Sequence, residues 1–246
     1  MGLFSECHAG ITSTPKIYNM LDKLREAKPD IIVNCGDDCG TYHGHQGVRV
    51  VAKACREVFA MDFPILHVMG NHDYWSGHGG MGWSKNLWLI RQCLAKHNIV
   101  SLDEVDYFRF KDCLFFGNSG WYTNPNPPTN DRFFVPKTFY RKPMYKTTLE
   151  LKTRKVMETI NLAPWKQDNL TPVFVSHFPL IPASGIDWKG RFEEFSWDDA
   201  ILRNLLIDQG VRHFLCGHAH QLHQGPLRYE AGADYYNPNF IIIEIK

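Results

Sequence analysis

Five short polar blocks each follow an apolar run, and their side chains exchange protons or offer oxygen and nitrogen donors. They are Ser5-Glu6-Cys7-His8, Gly36-Asp37-Asp38, Gly70-Asn71-His72-Asp73, Ser176-His177 and Gly217-His218-Ala219-His220. Carboxylates, imidazoles and one carboxamide make up the set, with no thiolate in a ligand-like position. Ligands of α/β sheets gather outside the carboxyl ends of strands, so five blocks in that position are expected to converge. The chain of 246 residues carries twelve histidines, and five of them fall in these blocks.

The elements that must position them follow from hydrophobic periodicity. Gly2 to Ser5 reads as a short strand. Ile17, Met20, Leu21 and Leu24 mark a helix from Thr14 to Ala27, with Pro15 in its first turn and Pro29 beyond its end. Asp30 to Cys35 and Ile65 to Met69 read as strands buried on both faces. Helices over Gly47 to Phe59 and Ser84 to His97, and a short strand near Ile99, complete a βαβαβαβ pattern, the signature of a parallel sheet with crossover helices. Tyr107 to Phe110 and Cys113 to Gly117 read as a hairpin. Residues 118–145, rich in Pro, Asn and aromatics, read as a long ordered loop near the site. A helix over Thr147 to Leu162 follows, then strands at 172–176, 211–216 and 239–245, with a helix over Trp197 to Gln209 among them. The expected fold is one α/β domain over residues 1–246 with two abutting sheets.

Taken together, the blocks resemble the calcineurin-like metallophosphoesterases, whose pattern is Asp-x-His, Gly-Asp, Gly-Asn-His-Asp/Glu, a lone His and Gly-His-x-His. Four of the five blocks match in order between residues 6 and 220. Gly70-Asn71-His72-Asp73-Tyr74-Trp75, the stretch Phe115 to Trp121 and Asn237-Pro238 are similar to a bacterial and phage branch of that family. The resemblance implies a four-layer αββα sandwich, two mixed sheets flanked by helices, and two divalent metal ions. One would take Glu6, His8, the bridging Asp37 and His220; the other would take Asp37, Asn71, His177 and His218. Two cations about 3.5 to 4 Å apart would let a bridging hydroxide attack phosphorus in line while both hold phosphoryl oxygens. The donor set suits Mn, Fe, Zn, Ni or Co, with manganese placed first. His72 is assigned as general acid or charge stabiliser at the scissile phosphate, and Asp73 is grouped with it as the residue orienting that loop.

Two positions depart from the family pattern. Glu6 stands where the family has Asp, one methylene longer, so its metal is expected to be bound more weakly or differently. Gly40 stands where the family has Asp or Asn three residues after the bridging Asp, which leaves the partner of His72 unspecified. Cys39-Gly40-Thr41 also replaces the Asp-Arg-Gly of calcineurin-type protein phosphatases and argues against that activity.

Composition bounds the partners. With 27 Lys plus Arg against 26 Asp plus Glu, the net charge is +1, and no block of like charges suggests a broad nucleic-acid surface. Seven cysteines, an odd number set mostly in apolar runs, suggest a reducing compartment. No signal peptide is visible in Met1 to Glu6 and no apolar stretch approaches the ~18 residues that span a bilayer, so a cytoplasmic location without membrane partners is expected. Met1-Gly2 suggests myristoylation, but Glu6 occupies the position that requires Ser or Thr. Cys35 and Cys39 lack the second pair of a structural zinc site. His67, His97 and His213 read as structural, while His43, His45, His78 and His223 stay open between phosphate contacts and surface. Tyr42, Tyr74, Trp75, Trp83, Trp121, Tyr122 and Trp188 could stack on a nucleobase or pack the loop. The expected activity is metal-dependent hydrolysis of a phosphodiester or phosphomonoester on a small or nucleotide-like substrate. A nuclease and a non-catalytic scaffold are the alternatives; the oligomeric state is not indicated.

Overall fold

The computed structural model describes residues 1–40, 43–75, 83–121, 142–181, 197, 199–220, 222–225, 227–232 and 236–245, the side chains of 83 and 142–148 excepted. Along the chain run β1 (Gly2–Ser5), α1 (Thr14–Glu26), β2 (Ile32–Asn34), α2 (Gly44–Val58), β3 (Ile65–His67), a 3-10 turn (His72–Tyr74), α3 (Trp83–Lys96) and β4 (Val100–Ser101). The hairpin β5 (Tyr107–Phe110) and β6 (Cys113–Gly117) leads to α4 (Lys142–Leu162), α5 (Pro164–Gln167), β7 (Thr171–Val175), α6 (Ala200–Asp208) and β8 (His213–Cys216). The strands β9 (Leu222–Gln224), β10 (Arg228–Ala231) and β11 (Asn239–Ile242) follow.

Two sheets result, ordered β11-β1-β2-β3-β4 and β5-β6-β7-β8-β10-β9. In the first, β1 to β4 are parallel and β11 is antiparallel to β1. Successive side chains of a strand point to opposite faces, and burial follows that rule. Leu3, Val33, Leu66, Phe115, Val173, Val175 and Leu215 form the layer between the sheets. Their neighbours Phe4, Ile32 and Ile65 face α1 to α3, while Leu114, Phe116, Phe174 and Phe214 face Val156, Ile160, Leu202 and Leu206 of the second helical layer. Each fully buried side chain of this kind stabilises the fold by about 1.5–3 kcal/mol, so the apolar layers can hold strained loops at the strand ends.

The expected sandwich is present; the differences lie at element ends and in the last quarter of the chain. Helix α4 begins at Lys142, so the expected loop over 118–145 gives up its last four residues to a helix whose second residue, Pro143, suits a first turn; residues 122–141 of that loop lie outside the described residues. Helix α6 begins at Ala200 instead of Trp197, because Asp199 Oδ1 accepts the Leu202 N–H at 2.9 Å and caps it there. Strands β9 and β10 have no apolar run to reveal them: Leu222 and Gln224 are exposed, and β10 buries the ion pair of Arg228 and Glu230. No helix among the described residues is long and apolar enough to cross a membrane.

Candidate metal centre

The first block turns out of β1 in the left-handed region, with φ of 58° at Glu6 and 44° at His8; Asp37 after β2 has 57°, and His218 and His220 after β8 have 69° and 54°. Such conformations cost on the order of 1–3 kcal/mol each in non-glycine residues. They reverse the chain immediately, keeping each block over its own strand end. The loops after β2 and β3 cross at Gly36 and Gly70, where a Cβ on Gly36 would lie 2.3 Å from Gly70 N and one on Gly70 would lie 2.0 Å from Asp37 Oδ1. Only hydrogen fits at that crossing.

Asp73 ties the crossing together. Its Oδ2 accepts N–H bonds from Asp37 at 3.0 Å and Gly70 at 2.8 Å, and its Oδ1 accepts one from Cys39 at 3.1 Å. Burial and the neighbouring Asp38 carboxylate push the Asp73 carboxyl upward. Beneath it, Asp38 Oδ2 lies 3.2 Å from His67 Nε2 while Asn34 Nδ2 donates to Asp38 Oδ1 at 2.9 Å. His67 is therefore structural, as read from sequence, but as part of a buried polar layer.

The donors converge in overlapping groups. Glu6, His8 and His220 offer ligand atoms within 4.8 Å of one another, as do Asp37, His177 and His218, and also His8, Asp37 and His72. His8 Nε2 is 3.1 Å and His220 Nε2 3.3 Å from Glu6 Oε2, while Glu6 Oε1 accepts the backbone N–H of His218. Asp37 Oδ1 accepts the His72 N–H at 2.9 Å, and its Oδ2 is 3.5 Å from His177 Nε2. That same His177 nitrogen lies 3.0 Å from Asn71 Oδ1 and 3.1 Å from His218 Nδ1. The seven sequence-assigned ligand residues are thus brought together, Asp37 standing in two of the groups. Glu6 reaches the cluster despite its extra methylene.

Backbone carbonyls fix two imidazoles. Cys35 O lies 2.7 Å from His177 Nδ1 and Cys39 O lies 3.3 Å from His8 Nδ1. A carbonyl only accepts, so Nδ1 carries the proton and Nε2 presents its lone pair to the cluster. Burial pushes His177 down to about 4 and holds His72 and His218 well below the usual imidazole range. Burial alone would raise the Glu6 carboxyl, but His220, His8 and His177 more than offset it and hold Glu6 well below the usual carboxylate range. A carboxylate buried among imidazoles stays ionised only with positive charge beside it, and this donor set can take that charge from a cation. The residues fit divalent metal ions.

His72 Nε2 is 3.9 Å from Asp37 Oδ2, and its ring stacks on Trp75 at 3.7 Å between centroids. Trp75 thus occupies a face of His72 in a chain that has Gly40 in place of the family's acidic or amide residue. Tyr74, Trp75 and Trp121 are buried, which favours packing over nucleobase stacking for these three; Tyr42, Tyr122 and Trp188, the side chain of Trp83, and His78 lie outside the described residues. His45 Nδ1 meets Asn86 Oδ1 at 3.0 Å, and Asn86 in turn donates to Asp73 O at 2.9 Å. Among the described residues, the candidate metal groups include neither His43, His45 and His223 nor any cysteine. The Trp75 stack and the three N–H bonds on Asp73 had no sequence signal beyond their place in the third block.

The sequence profile of the calcineurin-like phosphoesterase family matches residues 2–222. The chain belongs to that family and is a metal-dependent phosphoric ester hydrolase, and membership implies a binuclear centre of divalent ions. Among solved structures, the phosphopantetheinyl hydrolase of Mycobacterium tuberculosis is similar, with a TM-score of 0.68 at 14% identity over 98% of this chain and 96% of that one. The protein TT1561 of Thermus thermophilus is similar with a TM-score of 0.56 at 12% identity, over 94% and 89% of the two chains. At these identities the likeness shows the fold. No curated protein matches the chain.

Proposed function

We propose that the protein hydrolyses a phosphodiester or phosphomonoester of a small or nucleotide-like substrate at a manganese-preferring binuclear centre. The observation that carries this reading is the convergence of Glu6, His8, Asp37, Asn71, His177, His218 and His220 from both sheets, with Asp37 between the other donors. Glu6, His8, Asp37 and His220 would hold one ion, and Asp37, Asn71, His177 and His218 the other. When bound, the ions supply Lewis acidity toward phosphoryl oxygens and lower the pKa of the attacking water. His8 and His177 keep their Nε2 lone pairs directed inward through the carbonyls of Cys39 and Cys35. His72, held on Trp75 beside Asp37, would stabilise charge through an Nε2–H hydrogen bond to a phosphoryl oxygen as the neutral imidazole, or protonate the leaving alkoxide once the charge of the bound phosphate has favoured its imidazolium. Asp73 acts on the loop backbone and not on substrate, since its two oxygens accept three backbone N–H groups.

A charge of +1 supports a small substrate over a nucleic acid, because attraction for phosphate then comes from the centre and not from a basic surface. Seven free thiols support a reducing, cytoplasmic setting. The test is turnover of bis-p-nitrophenyl phosphate, p-nitrophenyl phosphate and single-stranded DNA by protein loaded in turn with Mn, Zn, Ni and Co. Hydrolysis of a nitrophenyl ester, fastest with Mn and reduced about 10²- to 10⁴-fold in His72→Ala, is expected. Cleavage of DNA alone would favour the nuclease, and no turnover with any metal the scaffold.

A further inference from the structure

A second buried polar cluster lies beside the metal centre, assembled from four separate places in the chain. Asp103 follows β4, Ser119 follows β6, Tyr74 closes the 3-10 turn that carries His72, and Lys152 projects from α4. Lys152 Nζ lies 3.5 Å from Asp103 Oδ1, donates to Tyr74 Oη at 3.1 Å and also donates to Ser119 Oγ. Ser119 donates to Asp103 Oδ1 from its backbone N at 2.9 Å and from its hydroxyl at 2.7 Å, and its Oγ is 2.9 Å from Tyr74 Oη. The side chains of Lys152 and Asp103 are only 13% and 6% exposed.

The cluster reaches the metal centre at three points. Asp103 Oδ2 accepts the Met69 N–H at 2.9 Å, at the root of the loop carrying Asn71 and His72. Tyr74 holds the far end of the same loop. Ser119 O accepts the backbone N–H groups of His177 at 3.2 Å and Phe178 at 3.3 Å. An aromatic path runs in parallel, with Tyr74 edge-on to Trp121, Trp121 edge-on to Phe178, and Phe178 against the rings of His177 and His218. Met69 and Tyr74 follow a strand of the first sheet, whereas Ser119 and His177 follow strands of the second. The cluster therefore spans the seam across which the centre is built.

A buried ion pair adds little net stability over apolar packing, and its best-attested use is to fix one arrangement among several. A Ser119–Lys152 nucleophile pair would need an unprotonated amine. Burial alone would lower the Lys152 amine, but Tyr74 and Asp103 more than offset it and raise it, so it stays protonated. Resting on the hydrolase reading, we propose that Lys152 is a positioning residue: bound to Asp103, Ser119 and Tyr74, it sets the separation between the His72 turn and His177 across the two sheets.

The experiment compares the Mn-loaded protein with Lys152→Met, Lys152→Arg and Tyr74→Phe, measuring kcat and KM on bis-p-nitrophenyl phosphate and Mn²⁺ affinity by calorimetry. Displacement of catalytic groups by an ångström costs about a hundredfold. The expected result is a fall in kcat of about ten- to a hundredfold in Lys152→Met with KM changed less than about twofold, a smaller fall in Tyr74→Phe, and recovery in Lys152→Arg. Should Lys152→Met fail to fold, Tyr74→Phe and Ser119→Ala carry the same test. Unchanged kcat and Mn²⁺ affinity in folded variants of an active wild type would overturn the proposal and leave the hydrolase standing. A wild type that turns over no ester but binds Mn²⁺, more weakly in these variants, would remove the hydrolase reading and support the positioning role.

Discussion

The two halves of the proposed metal centre differ in what holds them. On the Asp37 side, Asp37 takes the His72 N–H on its own carboxylate, and Asp73 bonds the backbone of Asp37, Cys39 and Gly70. His177 is fully buried and fixed by Cys35 O. The Glu6 side hangs from that frame. Glu6 N and His8 N donate to Gly36 O at 2.9 Å and Asp37 O at 3.0 Å, Glu6 Oε1 accepts the His218 N–H, and the His220 side chain is 27% exposed. One half is thus tied by backbone bonds from two crossing loops, while the other, with His8 buried and fixed by Cys39 O, carries the longer carboxylate and a His220 that is 27% exposed. The Asp37 half should bind its ion first and hold it longer.

Removing the shared carboxylate breaks that comparison outright. Asp37→Ala is expected to lose turnover by at least about a thousandfold, beyond the 10- to 100-fold typical of residues that only support a ligand, and calorimetry should show neither Mn²⁺ site at its wild-type affinity. Two of the proposed ligand histidines separate the halves more finely. His177→Ala should cost more activity than His220→Ala, and excess Mn²⁺ should restore His220→Ala more fully, as titration of activity against metal would show. Glu6→Asp sharpens the contrast. An aspartate one methylene shorter cannot keep both the His218 N–H and the reach to His8 and His220, so the weaker Mn²⁺ site should lose about tenfold in affinity with the stronger one unchanged. Identical stoichiometry and metal dependence in Glu6→Asp and wild type would remove the special role given to Glu6.

The smallest effect concerns the scaffold behind the Asp37 half. Burial would raise the Asp103 carboxyl, but the Lys152 ammonium, the N–H groups of Ser119 and Met69 and the Ser119 hydroxyl more than offset it and hold it below the usual range. A carboxyl lowered in the folded state contributes stability above its unfolded value, about 3.9, and loses it as pH falls through the folded value. Acid unfolding followed by circular dichroism should therefore be less steep below about pH 4 in Asp103→Asn, which is also less stable near neutrality because Lys152 loses its counter-charge.

The blocks that converge at the proposed centre were legible because each follows a buried strand and the paired residues are local: Gly36-Asp37, Gly70-Asn71-His72-Asp73 and Gly217 to His220. The two-sheet fold was legible from continuous apolar runs separated by amphipathic helices, and runs such as Leu3-Phe4 and Val173-Phe174-Val175 are buried on both faces in the structure. What escaped was non-local or locally misleading. Asp73 reads as orienting its own loop, but its partners Asp37 N and Cys39 N lie more than thirty residues away. Lys152 looks like one more helical cation until the fold brings Asp103, Ser119 and Tyr74 to it. Arg228 and Glu230 hid β10 because their charges satisfy each other inside the sheet.

Anomalous diffraction at the manganese edge, on crystals of the Mn-loaded protein, tests the central claim most directly. Two peaks about 3.5–4 Å apart, one among Glu6, His8 and His220, the other among Asn71, His177 and His218, with Asp37 reaching both, are the predicted result. A single peak, or peaks away from these residues, would contradict it.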